Sequence, residues 1–140
     1  MAEEKKERIA NNVMRVQGQG KPLSLDGSFF RTFIEFLTPF HNLANREKDV
    51  LAAFIKERYF LSQSITDPQL LDKVLMNDDT KAKIKKECNV SDAFFSGILG
   101  KLRKADVIID NTINPLYLPK RVSSEDKSFK LMFVFEIQIQ

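Results

Sequence analysis

Lys85–Ile108 reads KKECNVSDAFFSGILGKLRKADVI. Its layout is that of a helix, a tight turn and a second helix. In the turn, Asn89 tolerates the left-handed backbone that ends a helix, Val90 points to the core, and Ser91 caps the next helix. Phe95, Ile98, Leu99 and Leu102 then recur at i, i+3, i+4 and i+7, the spacing of one buried helical stripe. The second helix stops at KADVI, where Asp106 stands at the position a glycine usually takes.

Upstream, the same signals repeat. NDDTKAKIKKEC begins a helix capped by Asp78 or Asp79, with sparse apolar residues at Ala82, Ile84 and Cys88. TDPQLLDKVLM opens with Asp67 as cap and Pro68 at the first helical position. LANREKDVLAAFIKERYFL reads as a longer helix, capped by Asn45, with Val50, Leu51, Phe54, Ile55 and Tyr59 at helical spacing. Ser28–Phe40, SFFRTFIEFLTPF, holds five of the twelve phenylalanines: Phe29, Phe30, Phe33, Phe36 and Phe40. A short helix ending near Pro39 or a strand would each bury them against the main core.

Residues 1–27 are polar and mixed in charge, and VQGQGKPLSLDG carries three of the five glycines. This part reads as an extended arm before a domain of residues 28–140. Downstream, VIIDNTINPLYLP is strand-like, with a break at Asn111 or Pro115. SFKLMFVFEIQIQ alternates: Phe129, Leu131, Phe133, Phe135, Ile137 and Ile139 share one face. The polar KRVSSEDK between them would be the loop of a hairpin.

Bulk properties narrow the function classes. The 140 residues suffice for one domain with a modest core. A net charge of +3 does not by itself require nucleic acid, although the pI is near 9.0. No apolar run approaches the roughly 18 residues of a membrane span, and the first residues lack the apolar core of a secretory signal. One cysteine, Cys88, allows no intrachain disulfide and suits a reducing compartment. His41 is the only histidine, so metal sites and nucleophile–base pairs find too few partners. Neither GQG nor GILG has the lysine and strand-to-helix setting of a phosphate loop. The expectation is a protein that is not an enzyme, with no cofactor, no small-molecule substrate and no membrane partner.

Helices followed by a hairpin form the order of an α+β winged helix-turn-helix. KAKIKKECNVSDAFFSGILGKLRKADVIID resembles that superfamily, with Ile84, Val90, Phe95, Leu102 and Ile108 at its core positions. Lys85 departs from the pattern, which usually has a small alanine there. The longer DKVLMNDDTKAKIKKECNVSDAFFSGILGKLRKADVIIDNTINPLYLP resembles small proteins encoded by crAss-like bacteriophages, and FHNLANREKDVLAAF and FKLMFVFEI fit that likeness. The resemblance implies a viral protein, present in the host cytoplasm during assembly and then in the virion. It implies no particular role.

The exposed positions of the second helix decide between two functions. Readers of DNA place Arg, Lys, Asn or Gln there to match base edges. This chain has Asp92, Ala93, Phe94, Ser96, Gly97 and Gly100, with Lys101 only at the far end. Each interior glycine costs a helix about 1 kcal/mol relative to alanine, so close approach of something should compensate. Ala93, Phe94, Gly97 and Gly100 would meet either another part of this chain or a second molecule. Phe135 and Ile137 would join subunits by strand addition. On this reading the chain is a structural adaptor, a ring or head-to-tail connector component of a virion, whose partners are copies of itself and other assembly proteins. The alternative is a regulator or replication factor on double-stranded DNA, binding through Lys81, Lys83, Ser91, Ser96, Lys101, Lys104, Lys120 and Arg121. Those lysines read equally as a solvated helix face.

Overall fold

The computed structural model describes residues 28–119, together with the pairs 17–18, 21–22 and 138–139. Gln17–Gly18 (β1) pairs antiparallel with Lys21–Pro22 (β2). Six helices follow among the described residues: α1 (Ser28–Phe36), α2 (Thr38–His41), α3 (Asn45–Leu61), α4 (Pro68–Leu75), α5 (Asp78–Cys88) and α6 (Asp92–Lys104). Ile108–Ile109 (β3) and Thr112–Ile113 (β4) then form a second antiparallel pair, before a 3-10 turn at Pro115–Tyr117. The described residues are therefore mostly helical, with small antiparallel sheets, compatible with the α+β class.

Helix α3 is the axis of the core. Val50, Leu51, Phe54 and Ile55 are fully buried, and Ala52 and Ala53 are covered on its other side. A helix covered on more than one face must be surrounded, and α1, α4, α5 and α6 all pack on it. Helix α1 presents Phe30, Phe33, Ile34 and the following Leu37 at i, i+3, i+4 and i+7. The phenylalanine-rich segment is thus helical, and it does pack on the main core. It breaks at Leu37, and Pro39 lies inside the first turn of α2, where a missing N–H removes no helical bond.

Charged contacts lock α1 to α3. Arg31 Nε donates to Asp49 Oδ1 at 2.8 Å, and Lys48 Nζ lies 3.2 Å from both Glu35 oxygens. At the α2 exit, His41 Nε2 lies 2.9 Å from the Ile34 carbonyl, and Nδ1 accepts from the Leu43 N–H at 2.9 Å. A carbonyl can only accept and an amide N–H only donate, so the proton of His41 sits on Nε2. Buried Tyr117 donates to the Phe40 carbonyl at 3.3 Å and draws the 3-10 turn onto α2.

Several caps differ from the sequence reading. Asp67 does cap α4, accepting from Gln69 N–H at 3.1 Å. Helix α3 begins at Asn45, so the cap position is Ala44, whose N–H is taken by Glu47 Oε2 at 3.0 Å. Helix α5 is capped by Asn77, which accepts from Thr80 N–H at 2.8 Å. Asp78 and Asp79 instead occupy its first turn, where acidic groups suit the helix dipole. The expected strand over 107–119 breaks at both candidate places. Asp110 and Asn111 have φ of 52° and 61°, the paired left-handed residues of a two-residue hairpin turn, and Pro115 opens the 3-10 turn. The loop expected over 120–127 and the strand expected over 128–140 lie outside the described residues, save the exposed pair at 138–139, which is not in a strand.

Candidate docking face on helix α6

The turn into α6 is built by short-range bonds. Asn89 sits at φ 53°, the Val90 N–H donates to the Lys85 carbonyl at 3.1 Å, and Ser91 Oγ accepts from the Phe94 N–H at 3.2 Å. Arg46 of α3 adds a long-range clamp, its guanidinium donating to the Cys88 and Asn89 carbonyls. Helix α6 is thereby held at both its start and its inner face. Phe95, Ile98, Leu99 and Leu102 are buried, and Phe95 stacks on Phe54 at 6.0 Å between ring centres. Of the core positions expected from the sequence, Ile84, Phe95, Leu102 and Ile108 are buried and Val90 is half-buried. Lys85 fits beside α6 by laying its ammonium 5.6 Å over the Phe95 ring and 3.0 Å from Asp92.

The other side of α6 faces outward. Ala93, Phe94, Ser96 and Gly97 are exposed, and Gly100 is half-exposed. A methyl group added at Gly97 or Gly100 would meet nothing within 4 Å. Packing within the described chain therefore does not explain the small residues, and that reading of the stripe is overturned for the described residues. Phe94 keeps 50% of its surface exposed at the edge of this face. Beside it, a groove of about 350 Å³ separates α6 from the start of α3. Ala44, Phe94, Gly97 and Ile98 supply its apolar walls, and Lys101 and Glu47 close one side, with Nζ 3.8 Å from Oε1.

No family model, curated protein or solved structure matches this chain. The site has to be read from its own chemistry.

The proposed nucleic-acid residues are scattered in their engagements. Lys83 pairs with Glu57 at 3.0 Å, and Lys101 faces Glu47. Ser91 spends its oxygen on the cap. Ser96 and Lys104 are exposed, while Lys81 is half-buried at the other end of α5 from the turn. Lys120, Arg121, Phe135 and Ile137 lie outside the described residues.

Two further groups bear on chemistry. Burial pushes the Cys88 thiol above its usual range, so it stays protonated at neutral pH and is a poor nucleophile. A polar cleft of about 340 Å³ lies beside it, but its charges are satisfied internally: Arg31 and Arg46 by Asp49, and Lys56 by Glu87. Among the described residues, no three His, Cys, Asp or Glu side chains converge as metal ligands, and no helix is long and apolar enough to cross a membrane.

Residues that the sequence reading passed over complete the groove. Ala44, Arg46 and Glu47 lie more than 40 positions from α6, and nothing local couples them to it. The one available hint is the Glu47 carboxylate three residues after the cap, which is a helix-start signal and not a groove signal.

Proposed function

We propose that this chain is an assembly protein, a winged-helix-type domain whose outward α6 face joins it to other protein subunits. The observation that carries the reading is the open space beside Gly97 and Gly100 next to a half-exposed Phe94. Glycines that no contact among the described residues requires, flanked by an exposed aromatic, suit contact with another molecule. The order of α3, α5 and α6 followed by the β3–β4 hairpin supports a winged-helix fold. Taken together with the phage resemblance, which by itself implies no role, this face fits a ring or head-to-tail connector, made in the host cytoplasm and carried into the virion. No catalytic step or cofactor enters this reading.

Groove reading of DNA is the less supported use of the same helix. Asp92 and Phe94 offer base edges no suitable donor, and Lys83, Lys85 and Lys101 already face carboxylates.

The deciding measurement is the native mass of the protein with duplex DNA added and omitted. The expected result is a protein-only oligomer that Gly97→Leu disperses while the thermal unfolding curve keeps its shape. Wild-type assembly by Gly97→Leu would overturn the reading. A monomer that shifts only with DNA, and no longer does so as Lys101→Glu/Lys104→Glu, would transfer the face to nucleic acid.

A further inference from the structure

The assembly reading leaves open which molecule covers α6, and the helix itself carries a specific answer. Residues advance about 100° and 1.5 Å each along an α-helix. With Gly97 as origin, Ala93, Ser96, Gly97 and Gly100 lie in one strip pointing away from the core, and exposed Lys104 ends that strip about 10.5 Å beyond Gly97. Phe94 and Lys101 lie along one edge of that strip, about 4.5 Å before and 6 Å after Gly97. Asp92 and Arg103 lie along the opposite edge, about 7.5 Å before and 9 Å after it.

A two-fold axis perpendicular to an antiparallel helix pair brings like edges together and reverses their direction. Asp92 of one copy then stands level with Arg103 of the other, within about 1.5 Å along the axis, and the match occurs twice. On the other edge, Phe94 of one copy comes level with Lys101 of the other, beside the groove of Gly97 and Ile98. A ring under an ammonium is favourable there, and the groove has room for the ring. The strip of small residues between the edges lets the backbones approach.

The charges are available for this. Asp92 has 92% of its side chain exposed even while touching Lys85, and Arg103 is exposed with no ion pair among the described residues. Resting on the assembly reading, we infer that the occupant of this face is a second copy of the chain. The copies pair antiparallel through α6 about a two-fold axis near Gly97, with reciprocal Asp92–Arg103 contacts and each Phe94 in the other copy's groove. Such a pair closes on itself, so any ring would grow from dimers through a different surface.

Sedimentation equilibrium on the full chain tests this, with Asp92→Arg and Arg103→Asp as separate variants. Each alone places like charges together at both symmetric contacts, and each should dimerise at least tenfold more weakly. Mixed in equal amounts, the two variants restore opposite charges at both contacts, and a heterodimer of near wild-type affinity should form. Gly97→Cys in a Cys88→Ala background should oxidise to a disulfide-linked dimer, since the two-fold brings these positions closest; Gln69→Cys, far from α6, should not. If wild type assembles but the mixture gains nothing and Gly97→Cys stays unlinked, the pairing is wrong and assembly uses another contact. If wild type stays monomeric at every concentration, without DNA, both the pairing and the assembly reading fall.

Discussion

The two sides of α6 obey opposite rules although they share one backbone. Inward, Phe95, Ile98, Leu99 and Leu102 are large, close-packed and tied to α3 through the Phe54–Phe95 stack. Outward, Ala93, Gly97 and Gly100 are small, and a methyl group added at either glycine would meet nothing within 4 Å among the described residues. A helix needing only solubility would carry lysine, glutamate or alanine on its outer side, each a better helix former than glycine. The inner side is explained by folding alone. The outer side weakens the helix, no contact among the described residues offsets that cost, and the proposed subunit contact would.

Truncating the inner side should have the largest effect. Leu102→Ala removes a fully buried side chain and should destabilise the fold by about 2–5 kcal/mol, read by urea unfolding. A loss under about 1 kcal/mol would mean that α6 is not fastened to the core as described. The outer side should respond with the opposite sign. Gly97→Ala, measured where the protein is dilute and monomeric, should stabilise by about 0.5–1 kcal/mol, because helix propensity improves and the methyl enters open space. Destabilisation would show that something in this chain already occupies the position.

The smallest effect concerns charge away from α6. Hydrogen bonds from Arg31 and Lys48 hold the Glu35 carboxyl below its ordinary range. A carboxylate depressed in the folded state adds stability above its unfolded value, near 4.3, and loses it as pH falls through the folded value. Mild acid should therefore loosen the α1–α3 contact slightly, Glu35 being largely exposed. Comparing Glu35→Gln with wild type from pH 6 to pH 3 checks the sign. The variant should lack part of the acid-dependent decline, while self-association at pH 6 should be unchanged.

How much the sequence disclosed depended on the range of each interaction. The Asn89 turn, the Ser91 and Asp67 caps, the left-handed Asp106 and the inner stripe of α6 all follow from side chains within a few residues of one another. Neighbouring candidates misled where several residues could serve equally. Asn77, not Asp78 or Asp79, caps α5, and Ala44 with Glu47 starts α3 in place of Asn45. The segment over 107–119 is strand-like by residue type, with Asn111 and Pro115 as candidate breaks, and the fold uses both. Asp110 and Asn111 both tolerate positive φ, and they fold it back after two residues.

Ala93, Gly97 and Gly100 carry their smallness in the sequence, and that smallness was visible at once. Its direction was not. Whether a glycine is buried under a neighbouring helix or open to the outside depends on where α1 and α3 run, and those positions are set by the packing of Phe30, Ile34, Phe54 and Phe95. The groove shares this property, since Ala44 and Glu47 reach it only through the packing of α3 on α6, to which Arg46 adds bonds to the Cys88 and Asn89 carbonyls. Local caps and helical periodicity act over a single turn and can be read along the chain. An empty space beside a glycine is a statement about every residue that fails to reach it, and only the folded arrangement of the described residues contains that information.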